Sequence, residues 1–368
     1  MTDLVERLTG DSPLLAVNPG GVAAPVADAL ARQGGAALFI DCERSAVGIA
    51  DAAGMARATL VPYQRDMSDE SRQVDADQGA ELGRKFNDAE TRDAAMTRMG
   101  VDLQVIAPAP GQQHYWAAPK LLAEISRLQN DHVAAQVERD RARFAGLGTL
   151  PLTAPDRAVD EATRAVEELG LAGFQIDSRA GEMELSAPAL DPVWARLARL
   201  GAALVIHPLG FSHGQRLGAF FMVNTVGQPL EEIIAANHMI FGGVLDRHPD
   251  LRVLIVHGGG YFPFYLGRMD HAWRARPELR KLIGAAPSTY LRRMWYDTCV
   301  FDADTLARLV ALAGADRVMM GSDWPFDMGD DDPVGLVRAA VPDADARALI
   351  LGGTARAFFG LTPAGTAT

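Results

Sequence analysis

Cysteine is scarce in this sequence, with only Cys42 and Cys299 among 368 residues. Two widely spaced cysteines do not make the disulfide framework of a small secreted domain, and they favour a reducing compartment. The N-terminus has no basic segment leading into an apolar stretch, so it does not resemble a secretory signal. No apolar run is long enough to cross a bilayer. We therefore expect a soluble cytoplasmic protein without a membrane partner.

Runs of basic residues are lacking as well. The chain has 47 acidic and 35 basic residues, a formal net charge of −12, whereas nucleic-acid-binding surfaces concentrate lysine and arginine. A dinucleotide-binding loop is also missing, because Gly258–Gly260 follows an apolar run only as a bare glycine triplet. We therefore expect neither nucleic acid nor a dinucleotide as a ligand.

Short apolar runs alternate with segments of helical pattern over most of the chain. Such alternation predicts a parallel sheet covered by helices on both faces. Eight such strands favour a closed (β/α)8 barrel, an α/β fold of the TIM type; an open doubly wound sheet is the alternative. The predicted strands are 36–41, 102–107, 145–149, 172–176, 203–207, 251–257, 294–298 and 318–322.

The same pattern predicts one domain with an N-terminal extension. We place the extension at 1–35, the barrel at 36–361 and a disordered tail at 362–368. Two further apolar runs, Pro13–Asn18 and Thr59–Pro62, exceed the eight strands of one barrel, so they lie outside it or one of them replaces a strand. Residues 64–90 are highly charged and predict a surface excursion or lid.

Three of the predicted strands end on side chains that carry chemistry. The run 203–207 ends on His207, the run 251–257 ends on His257, and Asp323 follows the run 318–322. Because parallel strands of a barrel share one carboxyl-terminal mouth, these side chains are expected to lie together. A helix cap is the alternative role for Asp323.

Imidazole nitrogen with carboxylate oxygen suits Zn²⁺, Mn²⁺ or Fe²⁺. Three or four protein ligands would leave coordination positions for water or substrate, as catalysis requires. The carboxylate of Glu43, just after the first predicted strand, could reach the same mouth.

From about residue 90 to 361 the chain resembles the amidohydrolase superfamily. The branch it resembles contains aminocarboxymuconate-semialdehyde decarboxylase and related aromatic-acid decarboxylases. The matching stretches are MTRMGVDLQVIAPAPGQQHYWA (96–117), LQNDHVAA (128–135), FAGLGTLPL (144–152), ALDPVWARL (189–197), ALVIHPLG (203–210), IFGGVLDRHPDLRVLIVHGGGYFPFYLGRMDHAW (240–273), YLRRMWYDT (290–298) and VMMGSDWPF (318–326).

The resemblance implies roles for residues of the three strand ends. His207 and Asp323 match metal ligands of the family, and the resemblance also implies that Asp323 moves protons. His257 matches the general acid or base beside the metal. The family ends its first strand on His-x-His or Glu-x-His, whereas this chain has Glu43-Arg44-Ser45. Glu43 falls on the first ligand position, and no second histidine follows.

Two interpretations of this departure stay open. Glu43, His207 and Asp323 could form a three-ligand site, with Zn²⁺ favoured and Mn²⁺ second. Alternatively no metal binds, and Arg44 holds an acid substrate through its guanidinium fork. Residues 13–62 also faintly resemble the start of the HpcH/HpaI aldolase family, in which an Asp-x-Glu-His pattern takes the place of Asp41–Arg44.

Further residues are candidates for substrate binding or assembly. His114 and Trp116 follow the second predicted strand, where they line a pocket or belong to a packed loop. Arg268 faces a substrate carboxylate or forms a structural salt bridge. The apolar cluster Phe220–Met222 covers the site or contacts a second copy, and the resemblance implies a homodimer.

The leading functional hypothesis is a metal-dependent carbon–carbon lyase that decarboxylates a small unsaturated or aromatic carboxylic acid. His257 and Asp323 would handle the proton that replaces CO₂. One alternative is a metal-dependent hydrolase of an ester, lactone or amide. A second alternative is a barrel that binds a carboxylate without catalysis after losing its metal.

Overall fold

A parallel sheet of seven strands forms the centre of the molecule. The computed structural model describes residues 67–209 and 214–361. Each strand of this sheet pairs in parallel with the next one along the chain. The strands are β1 (Gln104–Ile106), β2 (Phe144–Gly148), β3 (Gly173–Ile176), β6 (Ala203–Ile206), β7 (Arg252–Ile255), β8 (Trp295–Asp297) and β9 (Val318–Met319), with a small antiparallel hairpin of β4 (Arg179–Ala180) and β5 (Met183–Glu184).

Helices connect these strands, as the alternating pattern predicts. Seven of the eight predicted strands are present, and the one at 36–41 lies outside the described residues. No helix in the described ranges is both long and apolar enough to cross a bilayer. The helices are α1 (Asp69–Asn87), α2 (Ala89–Met99), α3 (Pro119–Arg139), α4 (Pro155–Glu167), α5 (Asp191–Leu200), α6 (Gln228–Phe241), α7 (Val244–Arg247), α8 (Leu266–Ala275), α9 (Ala303–Ala313), α10 (Pro333–Ala340), α11 (Ala344–Ala348) and α12 (Thr354–Phe359).

The side chains of β6 show how the strands separate two apolar layers. Leu204 and Ile206 are fully buried in the large core between sheet and helices. Ala203 and Val205 alternate with them and pack in a second cluster on the other face of the sheet. Because every residue of this strand is buried, the sequence shows a continuous apolar run. The second cluster joins Leu147, Ala203, Val205, Leu254, Val256 and Met319.

Helix α12 covers the amino-terminal ends of the strands. Phe358 and Phe359 pack into the second cluster, and Trp295 packs against Phe358. Arg252, the first residue of β7, donates a hydrogen bond from Nη1 to the carbonyl of Phe358 at 3.1 Å. This helix therefore lies at the opposite end of the strands from the carboxyl-terminal ends, where barrels of this type carry their sites.

The charged segment 64–90, predicted as a surface excursion or lid, contains the helix α1. Ser68 caps its start by accepting a hydrogen bond from the Ser71 amide at 3.1 Å. Acidic residues occupy the first turn and basic residues the last turn, which suits the helix dipole. Leu82 is the only large apolar side chain of this helix that is buried. The helix therefore packs against the rest of the molecule with few large apolar residues in its sequence.

Candidate active site

The side chains of His207, His257 and Asp323 meet at the carboxyl-terminal ends of β6, β7 and β9. His207 directly follows β6, and its amide still bonds to the carbonyl of Ile176 at 2.9 Å. His257 and Asp323 follow their strands with φ values of 51° and 53°, in the left-handed region. The three side chains offer ligand atoms that lie within 4.8 Å of one another. The sequence prediction placed this trio together, and the structure agrees.

The spacing of the trio leaves room for an ion. His207 Nε2 lies 3.8 Å from Asp323 Oδ1, and His257 Nε2 lies 3.7 Å from Asp323 Oδ2. These distances exceed hydrogen bonds, but two ligands of one ion at about 2.1 Å are themselves roughly 3–4 Å apart. His207 Nε2 is buried and has no hydrogen-bond partner in the described part of the chain. The donor set and this unsatisfied nitrogen fit a divalent metal.

The carboxylate of Asp323 is ionised across the physiological range. Burial by itself would raise its pKa, but the electrostatic attraction of His207 and His257 outweighs burial. The pKa of Asp323 therefore lies far below its usual value of 3.8. An anionic oxygen between two imidazoles is what a cation would require.

Glu232, on α6, holds the other side of His257. Its side chain is fully buried, and its Oε1 lies 2.5 Å from His257 Nδ1. Burial raises the pKa of Glu232 to about 7, against the opposing attraction of His257. Burial lowers the pKa of His257, but Glu232 and Asp323 outweigh it and hold that pKa well above 6.5. The contact on Nδ1 leaves Nε2 directed at Asp323.

The glycine triplet after β7, Gly258–Gly260, makes room for the carboxylate of Glu232. A Cβ on Gly260 would lie 2.3 Å from Glu232 Oε2 and 2.7 Å from the carbonyl oxygen of Pro229, and the φ of Gly260 is +56°. Only glycine fits here without displacing the buried carboxylate. The triplet therefore shapes a site around His257.

Asp297 fixes the loop that carries His257. It ends β8, and its Oδ1 accepts hydrogen bonds from the amides of Gly258 at 2.9 Å and Cys299 at 3.0 Å. The sequence prediction found the strand but not this role. An acidic residue at the end of a predicted strand was the available signal for Asp297, and the pair Glu231-Glu232 in a largely apolar helix was the signal for Glu232.

A cavity of about 360 Å³ runs from the trio along β1 and β9 to α12. Its lining includes Arg92 and Phe86, which helices α1 and α2 bring to it, together with Trp324 and Phe326 from the loop after β9. Phe86 and Phe326 pack edge to face with ring centroids 5.6 Å apart. The segment interpreted as a lid thus contributes to the wall of the cavity.

The other predicted site residues lie elsewhere. His114 is buried, burial lowers its pKa to about 4, and its ring packs edge to face against Trp116. Trp116 is 56% exposed. Arg268 is exposed on α8, without an ion pair to any described residue. None of these three lines the cavity beside the trio. Glu43 and Arg44 lie outside the described residues.

Comparison with known proteins agrees with this geometry. The sequence profile of the amidohydrolase family matches residues 56–361. The chain belongs to this family. It is 37% identical to a 2-amino-3-carboxymuconate-6-semialdehyde decarboxylase from Dictyostelium discoideum over 278 residues, which are 75% of this chain and 77% of the relative. It is 28% identical to a gamma-resorcylate decarboxylase from Rhodococcus jostii over 60% of this chain and 72% of that one.

A solved structure shows the same architecture. The 5-carboxyvanillate decarboxylase LigW from Sphingomonas paucimobilis superposes with a TM-score of 0.72 at 27% identity, covering 84% of this chain and 96% of the other. The predicted superfamily and its decarboxylase branch are confirmed, and so is the α/β barrel fold. The domain boundaries and the aldolase-like segment 13–62 stay predictions, since residues 1–66 lie outside the described part.

Proposed function

We propose that this protein is a metal-dependent decarboxylase of a small unsaturated or aromatic carboxylic acid. The observation that carries the proposal is the convergence of His207, His257 and Asp323 beside a cavity. The decarboxylases among its relatives support the reaction class. No observation favours the hydrolase or the non-catalytic barrel.

His207 and Asp323 would hold the metal, with Glu43 as a further ligand. Zn²⁺ is our first assignment and Mn²⁺ the second, because imidazole and carboxylate serve both. When bound, the metal supplies a Lewis acid for the substrate carboxylate and an adjacent hydroxyl or oxo group.

His257 would deliver the proton that replaces CO₂. Decarboxylation breaks the bond between the carboxyl carbon and its neighbour, and the electron pair left on that neighbour takes up a proton. Glu232 fixes the ring through Nδ1, so Nε2 faces the trio and can present that proton. Asp323 stabilises the charged imidazole from the other side.

The experiment is CO₂ release from a panel of hydroxylated aromatic acids by wild type, His257→Ala and Asp323→Ala. Wild type should release CO₂, and each variant should lose at least about 100-fold in kcat/KM. Turnover that survives in both variants would overturn the proposal. Consumption of base without CO₂ release on ester, lactone or amide substrates would identify a hydrolase instead.

We also propose a cytoplasmic homodimer. The free, buried thiol of Cys299 supports a reducing compartment. Phe220 is 89% exposed, and burying such a ring against a second copy would remove apolar surface from water. Light scattering should report twice the chain mass for wild type and a shift toward monomer for Phe220→Ser; a monomeric wild type would refute the assembly.

A further inference from the structure

Asp177 is an acidic residue at the mouth of the barrel that the mechanism does not use. It follows β3 directly, as His207 follows β6. The two strands pair with Ile176 opposite Ile206, and the amide of His207 donates a hydrogen bond to the carbonyl of Ile176 at 2.9 Å. Asp177 therefore lies on the strand end next to the one that carries the proposed metal ligand.

The carboxylate of Asp177 binds the segment that follows His207. Its Oδ1 accepts a hydrogen bond from the amide of Leu209 at 2.9 Å. The same oxygen accepts a hydrogen bond from the amide of Ser178 at 2.6 Å, which ties the side chain to its own backbone turn. Asp177 is not among the described residues that line the cavity. An effect of Asp177 on the site is therefore expected to pass through the backbone that it holds.

The peptide group between Pro208 and Leu209 connects Asp177 to the imidazole of His207. The N–H of this group donates to Asp177, and its carbonyl oxygen lies 3.3 Å from His207 Nδ1. A carbonyl oxygen only accepts, so Nδ1 carries the hydrogen and Nε2 of the neutral ring carries the lone pair. This Nε2 is the buried nitrogen that lacks a hydrogen-bond partner among the described residues. The peptide thus leaves His207 in the tautomer that a metal ligand requires.

We infer that Asp177 is a positioning residue for metal binding, which holds Nε2 of His207 towards the ion through the peptide of Pro208 and Leu209. The inference rests on the proposed function in that His207 is a ligand of the metal. A carboxylate binds a backbone N–H more strongly than a neutral oxygen does, and hydrogen bonds in a chain polarise one another. Groups that support a metal-binding histidine in this way typically contribute about 10- to 100-fold to metal affinity.

The test measures the affinity of the full-length protein for Co²⁺ alone, after removal of metal by a chelator, from the visible absorption of the bound ion. Wild type should bind about one equivalent per chain, and His207→Ala should lose that binding. Asp177→Ala should weaken binding about 10- to 100-fold, because the peptide is released. Asp177→Asn keeps an acceptor oxygen in the same place and should bind like wild type. Asp177→Glu keeps the charge but moves the oxygen, and it should bind like Asp177→Ala.

Asp302→Ala is the matched control. Asp302 accepts a hydrogen bond from the Thr305 amide at 2.7 Å at the start of α9, and it is not among the described residues that line the cavity. Its loss should lower the melting temperature, as loss of a helix cap does, and leave the Co²⁺ affinity unchanged. The same pattern in Asp177→Ala would make the role of Asp177 purely structural and overturn the inference.

An Asp177→Asn variant as weak as Asp177→Ala would also overturn the inference, because charge rather than the position of the acceptor would then matter. If Asp177→Ala does not fold, Asp177→Asn and Asp177→Glu decide, and equal affinities of these two would overturn it. These failures leave the proposed decarboxylase standing. A wild type that binds no Co²⁺ would remove the proposed metal site and the role of Asp177 together. The expected affinities without CO₂ release from any acid would remove the proposed function alone.

Discussion

Glu232 orients the His257 ring through one contact at Nδ1. The carboxylate comes from a helix, whereas the imidazole comes from a strand end, so their meeting depends on packing. A ring held at Nδ1 by a buried carboxylate has a fixed orientation, and Nε2 faces Asp323.

Replacing Glu232 by glutamine should therefore slow the reaction and change its pH dependence. Without the carboxylate, the pKa of His257 falls and the imidazolium loses its proton at lower pH. The alkaline limb of the pH profile of kcat should shift to lower pH, and kcat should be about 10- to 100-fold lower. The control is Glu231→Gln, whose carboxylate accepts a hydrogen bond from Ser178; an identical shift in both variants would contradict this account.

His114 should make the protein less stable in acid. Burial lowers its folded pKa to about 4 from 6.5, so the unfolded chain binds the extra proton between these values. Above pH 6.5 the titration of His114 does not reduce the free energy of unfolding. As the pH falls from 6.5 towards 4, this free energy decreases by up to about 3 kcal/mol.

Urea unfolding at several pH values measures this effect. His114→Gln should flatten the dependence between pH 6.5 and 4, relative to wild type. The exposed His271 on α8 is the matched control, because His271→Gln should leave the slope as it is. An unchanged slope in His114→Gln would refute the assignment.

Among the elements, the loop Gly258–Gly260 is the one that tolerates least change. Gly260→Ala would push a methyl group against Glu232 and the Pro229 backbone at a positive φ. We expect a loss of several kcal/mol in the free energy of unfolding, about 3 or more. Gly267→Ala, on the exposed side of α8 with no atom within 4 Å, should instead be neutral or gain up to about 1 kcal/mol; equal losses would contradict the argument.

Strands with long apolar runs could be predicted from sequence, but the extent of strands that pair over only two residues could not. β6 and β7 lie within their predicted ranges because all four residues of β6 and three of the four residues of β7 are buried. β9 contains only Val318–Met319, since the amide of Met320 bonds to the carbonyl of Ile350 instead of a strand. The hairpin of β4 and β5 pairs two residues on each side, too few for a periodic signal.

Some residues of the candidate site could be predicted from sequence, and others could not. His207, His257 and Asp323 could be predicted because parallel strands share one carboxyl-terminal edge. Glu232 and Arg92 could not, since a helical residue reaches the barrel mouth only if its face of the helix turns inward. That orientation is set by tertiary packing rather than by local pattern.

At the scale of the whole molecule, the barrel brings together the two proposed metal ligands, His207 and Asp323, and the proposed proton donor, His257, from three separate strands. The family match begins at residue 56, after the segment in which the first strand and Glu43 were predicted. The described strands thus carry the fold of the family and the ligands from β6 and β9.

Metal content per chain, measured by mass spectrometry on protein purified without chelator, tests this claim most directly. Wild type should contain about one equivalent of Zn²⁺ or Mn²⁺, and Asp323→Ala should lose it, because the variant removes the anionic ligand between two imidazoles. Wild type without metal, or a variant that retains it, would contradict a site built on His207 and Asp323.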